Sequence, residues 1–212
     1  MECPRCDYTV SDRARFCEMC GSILRATDPA YQLSYAHRLE ISGDLEGAVR
    51  EYDRLLEGDV VDREVAAVHK HLGNLHFRLG HLRVAREHLA KACSLEPANA
   101  AFWHDKGVAE YHMADFDAAI GSLREALRRD AELLLAYFWL GNALYHQGEN
   151  EQAAEAFREL LERFPNFTIA RFHLAVIYER QGRKEEAGKE FQRVLFANPG
   201  DAAARHYVSS KG

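Results

Sequence analysis

Long apolar runs are missing from this chain of 212 residues. No stretch approaches the roughly 20 apolar residues that a membrane-spanning helix needs, so no membrane span is expected. No apolar core follows Met1-Glu2-Cys3-Pro4-Arg5-Cys6, so these residues do not form a secretory signal, and a cytoplasmic location with reduced thiols is expected. Charge of one sign is also scarce. The 27 Lys and Arg against 33 Asp and Glu leave a net charge of −6, which argues against general nucleic-acid binding. There is no nucleophile beside a base, no pair of carboxylates that a pocket could gather, and no glycine-rich phosphate loop, so a non-enzymatic role is expected. Cysteine is sparse everywhere except at the start.

Four of the five cysteines stand there, as Cys3-Pro4-Arg5-Cys6 and Cys17-Glu18-Met19-Cys20-Gly21. Paired CxxC units suit tetrahedral zinc, because each tight turn aims two thiolates at one point and a hairpin brings the pairs together. Tyr8 to Val10 and Arg15-Phe16 can supply the strands, with residues 11–14 turning between them. The segment resembles a minimal zinc ribbon, with Cys3, Cys6, Cys17 and Cys20 as ligands of one structural Zn2+. Asp7 stands where a glycine commonly follows such a pair; Gly21 supplies it once. A disulfide or a redox motif competes with zinc, but nothing around the pairs resembles the α/β unit of a redox protein, and so small a segment needs a staple to fold. Arg5, Arg13, Arg15 and Arg25 are balanced by Glu2, Asp7, Asp12 and Glu18. Zinc on four thiolates would add negative charge, which is unsuited to phosphate contacts. A nucleic-acid-associated regulator using the ribbon is therefore the alternative to a protein-binding role.

Residues 134–165 are written as two amphipathic helices with a turn at Gly148 and a stop at Pro165. The same hairpin recurs along the chain. Small residues fall at Ala36, Gly73, Gly107, Gly141 and Ala175, the last four 34 apart. Ala48, Ala85, Ala119, Ala153 and Ala187 form a second series, and Tyr52, Leu89, Leu123, Phe157 and Phe191 a third. Pro97, Pro165 and Pro199 mark repeat ends, and Gly58 to Asp62 accommodates an insertion in the first interval. Small residues are expected where paired helices cross, and large ones where hairpins meet.

A helix, turn, helix unit with this period resembles the tetratricopeptide repeat family. The resemblance implies an all-α, right-handed superhelical solenoid of five hairpins over residues 26–208, preceded by the zinc-ribbon β-hairpin over residues 1–25. Approximate repeats are 29–62, 66–99, 100–133, 134–167 and 168–201. A short capping helix follows, with Ala204, Tyr207 and Val208 packing on the fifth repeat and that end left open to self-association. Cys93 reads as a buried helical residue. His69, His71, His76, His81 and His88 crowd one repeat without the i, i+4 spacing of a helical zinc site, and read as ordinary surface or half-buried side chains.

In this family the first helix of each hairpin lines a concave groove that binds peptide segments. Next to the small residue stand Asn74 and Asn142, whose amides can bond an extended backbone. Three positions earlier come Lys70, His104 and Phe138; four positions later, Phe77, Tyr111 and Tyr145; then the basic column Arg78, His112, His146 and Arg180. The aromatics can equally pack between hairpins, and cations at helix ends are favoured by the helix dipole whatever the groove holds. Lys70 and Asn74 fit half of the family's clamp on a C-terminal carboxylate, while Asp105, Leu135 and Trp139 stand where it would want polar or basic groups. The expected partner is a protein or peptide segment of acidic character, bound more tightly as the histidines gain charge at low pH.

Overall fold

The computed structural model of the chain describes Cys6, residues 8–10, 16–20, 29–57 and 62–210. Periodicity at 3.6 residues becomes helix throughout the last two ranges. They run α1 (Pro29–Ser42), α2 (Leu45–Glu57), α3 (Asp62–Arg78), α4 (Leu82–Leu95), α5 (Ala100–His112), α6 (Phe116–Arg129), α7 (Leu134–Gln147), α8 (Asn150–Arg163), α9 (Thr168–Arg180), α10 (Lys184–Ala197) and α11 (Ala202–Ser210). Each helix packs on the one before it, and the first helices of successive hairpins also touch, α3 on α5 and α5 on α7. The result is an all-helical stack of five hairpins plus α11.

The hairpins close as the small-residue series requires. A Cβ built on Gly141 would lie 2.8 Å from Cζ of Phe157, one on Gly73 2.5 Å from Cγ of Leu89, and one on Gly107 2.7 Å from Cγ of Leu123. The large third series thus packs first onto the small residue of its own hairpin. It reaches the next hairpin as well, since the Phe157 ring stacks on His173 at 5.5 Å. Burial of Tyr52, Leu89, Leu123, Phe157 and Phe191 is nearly complete, and each such side chain stabilises the stack by about 1.5–3 kcal/mol.

Turns between paired helices use the left-handed region at Gly43, Gly80, Gly148 and Gly182. Ala114 takes the corresponding place in the third hairpin at φ 59°. Asp44, Asp115 and Asp201 each accept a hydrogen bond from a backbone N–H three residues on, satisfying donors at helix starts. The prolines that end repeats have a further use: the Pro97 carbonyl accepts from Trp103 Nε1 at 3.0 Å and the Pro165 carbonyl from Arg171 at 2.6 Å. Arg205 meets the Pro199 carbonyl in the same way.

Gly58 to Val61 lie outside the described residues. Helix α3 nevertheless starts at Asp62 and has 17 residues, where α5, α7 and α9 have 13 or 14, so the inserted length lies in part in an extended α3. At the far end Ala204 and Tyr207 are buried, the Tyr207 ring 4.3 Å from that of Phe191. Among the described residues near the start, no strand forms; Thr9 and Phe16 each make a single-residue bridge. Arg15 and Asp7 lie outside the described residues, as does Cys3.

Candidate functional site

The first helices of the hairpins share one surface, on which aromatic and basic side chains run from repeat to repeat. Phe77 at the end of α3 meets His112 at the end of α5 with centroids 5.1 Å apart. His112 in turn meets Trp139 of α7 at 5.4 Å, and Tyr111 lies 5.1 Å from Trp139. His146 lies 5.7 Å from Tyr111 and stacks on Phe116 at 4.9 Å. Arg180 of α9 sits over the Tyr145 ring at 4.7 Å. The rings therefore pack between hairpins and at the same time carry imidazole and guanidinium groups at their edge, His112, His146 and Arg180 all being exposed. The fourth member of the basic column, Arg78, stands 4.0 Å from Glu40 of the first repeat.

The polar columns part company. Asn74 donates to Asp105 Oδ2 at 3.0 Å, and His104 Nδ1 lies 3.0 Å from Asp105 Oδ1. Burial pushes the Asp105 carboxyl up, but the bonds from His104 and Asn74, with the charges of His104 and Lys70, outweigh it and hold the group below the usual carboxylate range. A side-chain carboxylate of the chain itself thus takes up the Asn74 amide. Asn142, at the same column, is only 5% exposed and donates to the Phe138 carbonyl of its own helix at 2.9 Å. The difference lies in the next hairpin, which offers Asp105 to Asn74 but His173 to Asn142. The Phe138 ring packs on Trp139, Phe167 and His173. Burial, with His146 nearby, lowers the pKa of His173.

Two histidine groupings escaped sequence reasoning because their members meet across helices. His69 and His88 bring their Nδ1 atoms to 3.0 Å, and His76 and His81 theirs to 3.4 Å. Between His69 and His76 on α3, His71 joins His37 and Glu40 of α1, with Nε2 atoms of the two histidines 3.1 Å apart. In the sequence these groupings show only as a density of histidine between residues 69 and 88. Cys93 is buried as expected, and burial pushes its thiol up to about 11.

Three of the four paired cysteines lie in described residues, and they converge. One ligand atom from each of Cys6, Cys17 and Cys20 lies within 4.8 Å of the others. The sulfurs of Cys6 and Cys17 are 3.5 Å apart, well beyond the roughly 2.05 Å of a disulfide and near the ~3.8 Å separating thiolates on a tetrahedral zinc. Cys17 is buried against Val10.

Stacked helical hairpins with a shared first-helix surface define a helical repeat solenoid. The particular class follows from comparison: the tetratricopeptide repeat family model matches residues 70–132, 104–166 and 140–202. The chain belongs to the tetratricopeptide repeat family. Similar solved structures include one described as MamA, 27% identical with a TM-score of 0.73, covering 77% of this chain and 94% of that one. MamA 41-end from Desulfovibrio magneticus RS-1 is 18% identical with a TM-score of 0.75, covering 82% and 97%. YrrB, described as a TPR protein with an unusual peptide-binding site, is 22% identical with a TM-score of 0.74, covering 84% and 91%. No curated protein matches the chain.

Proposed function

We propose that the chain is a non-enzymatic scaffold that holds an extended, acidic protein segment along the first-helix surface of its repeats. The supporting observation is the continuous line from Phe77 through His112, Trp139, Tyr111 and His146 to Tyr145 and Arg180, in which aromatic faces alternate with cationic or protonatable groups. Aromatic faces bury the segment's apolar atoms, and the cations select negative charge. YrrB, a structural neighbour, is described as a TPR protein with a peptide-binding site, which supports a peptide as the ligand class. Because Arg78 already faces Glu40, selectivity for acid falls on His112, His146 and Arg180. Asn74 and Asn142 contribute less than their column suggests, each having given an amide N–H to the protein itself. A structural zinc on Cys3, Cys6, Cys17 and Cys20 holds the head. No helix among the described residues is long and apolar enough to cross a membrane.

The test uses a glutamate-rich extended peptide and its glutamine counterpart, titrated by tryptophan fluorescence at about pH 5.8 and about pH 7.8. The acidic peptide is expected to bind more tightly at the lower pH and to weaken with added salt, while the glutamine peptide does neither. Replacing His112 and His146 by Gln removes the pH response. Equal affinities at the two pH values, or an unchanged response in the double variant, overturn the acidic specificity.

A further inference from the structure

The seam between the first two hairpins holds a cluster that the aromatic surface does not use. His37 and Glu40 stand one helical turn apart on α1 and His71 faces them from α3, with one ligand atom from each within 4.8 Å of the others. His37 Nε2 and His71 Nε2 are 3.1 Å apart. Two imidazole nitrogens bound to one metal at 2.0–2.1 Å are separated by about 3.0 Å at a right angle and about 3.4 Å at the tetrahedral angle, a range that includes the observed separation. Without a metal the pair must share one proton, and a divalent ion can take that proton's place.

The surroundings fix this arrangement. Glu40 Oε2 lies 3.1 Å from His71 Nδ1 and accepts a hydrogen bond from the Tyr52 hydroxyl at 3.2 Å. A carboxylate on Nδ1 holds the proton there and turns the Nε2 lone pair toward His37, which is the outer-shell arrangement that metal-binding histidines use. Tyr52 is fully buried and its ring lies parallel to that of His71, centroids 5.2 Å apart and planes 6° apart. The His37 ring stands edge-on to both. Arg78 lies 4.0 Å from the other Glu40 oxygen, Oε1, so both ends of the carboxylate are engaged.

We propose that His37 and His71 bind a divalent transition ion through their Nε2 atoms, with Glu40 as the outer partner that sets the His71 tautomer. Imidazole pairs favour Zn2+, Ni2+ or Cu2+ over Mg2+ or Ca2+. Glu40 and His71 are each about a fifth exposed, so the remaining coordination positions open to water or to a donor from a bound protein.

Full-length protein already carrying zinc at its cysteines is titrated with Ni2+ by calorimetry. One additional Ni2+ per chain is expected. His37→Gln or His71→Gln abolishes it, and Glu40→Gln weakens it about tenfold or more, the usual effect of losing an outer-shell partner. Cys17→Ser leaves this event unchanged, which separates it from the head. Ni2+ binding that survives both histidine variants, or that is lost instead in His69→Gln or His88→Gln, overturns the assignment. In the unmutated protein, nitrogen-15 spectra of the imidazoles provide a readout independent of how the variants fold. Zn2+ should displace the Nε2 resonances of His37 and His71 while the His71 Nδ1 proton persists; unmoved Nε2 resonances also overturn it.

Discussion

At the scale of single residues, the crossing points are decided by fractions of an ångström. A Cβ on Gly141 would meet three Phe157 ring atoms at 2.8–2.9 Å, and the ring is fully buried. Gly141→Leu is expected to cost about 1–3 kcal/mol or more through overpacking, read as a lower midpoint in urea. Ala114 presents the opposite case. It adopts φ 59° where the other hairpins use glycine, a conformation that costs an L-residue about 1–2 kcal/mol. Ala114→Gly should therefore stabilise the protein by about 0.5–1 kcal/mol once glycine's greater unfolded-state freedom is subtracted; an unchanged or lower melting temperature would refute this.

At the scale of elements, the histidines of α3 and α4 carry a pH dependence. Burial lowers the pKa of His69 and His76, with His88 contributing to both. Burial lowers that of His88 too, against the opposing charges of Asp53 and Glu87. Lys91 acts on His69 in the same direction as burial, while His81 lowers and Asp53 raises the pKa of His76. A base depressed in the folded state leaves stability intact above its unfolded pKa, about 6.5. Below that pH the unfolded chain takes up protons first, so stability falls as pH drops toward the folded values. Thermal midpoints should accordingly fall between about pH 7.5 and about pH 5.5, and the fall should be smaller in the double variant His69→Gln, His88→Gln. An equal fall in parent and variant would remove this pair from the account.

At the scale of the whole molecule, contacts run between neighbouring helices, so stability is nearly a sum over repeats and their interfaces. Among the described residues, Cys6, Cys17 and Cys20 of the head gather with one another and with no histidine or carboxylate of the array. A strong chelator is expected to release one zinc per chain from the head and leave most of the helical circular dichroism in place. Loss of more than about half the helical signal would mean that the head nucleates the stack, contrary to a near-neighbour picture. The same near-neighbour logic makes α11 a lid on the fifth hairpin, since Tyr207 packs directly on Phe191.

Spacing along the chain was enough to establish the hairpins, their turns and the three residue series, because every repeat must present a small residue where its helices cross and a large one to cover it. Gly73, Gly107 and Gly141 therefore announce themselves without a neighbour in view. The convergence of Cys6, Cys17 and Cys20 was legible for a similar reason, since a short turn dictates the spacing of paired cysteines. Contacts between repeats follow no such rule. Asn74 and Asn142 share a column, yet one bonds across to Asp105 and the other back to Phe138, according to what the next hairpin offers. His37 and His71 belong to different columns and different helices, and only the packing of α1 against its neighbours brings their Nε2 atoms to 3.1 Å. Local periodicity dictates which face of each helix is buried, whereas the partners of Asn74 and His37 lie in the next hairpin, and so depend on the assembled stack.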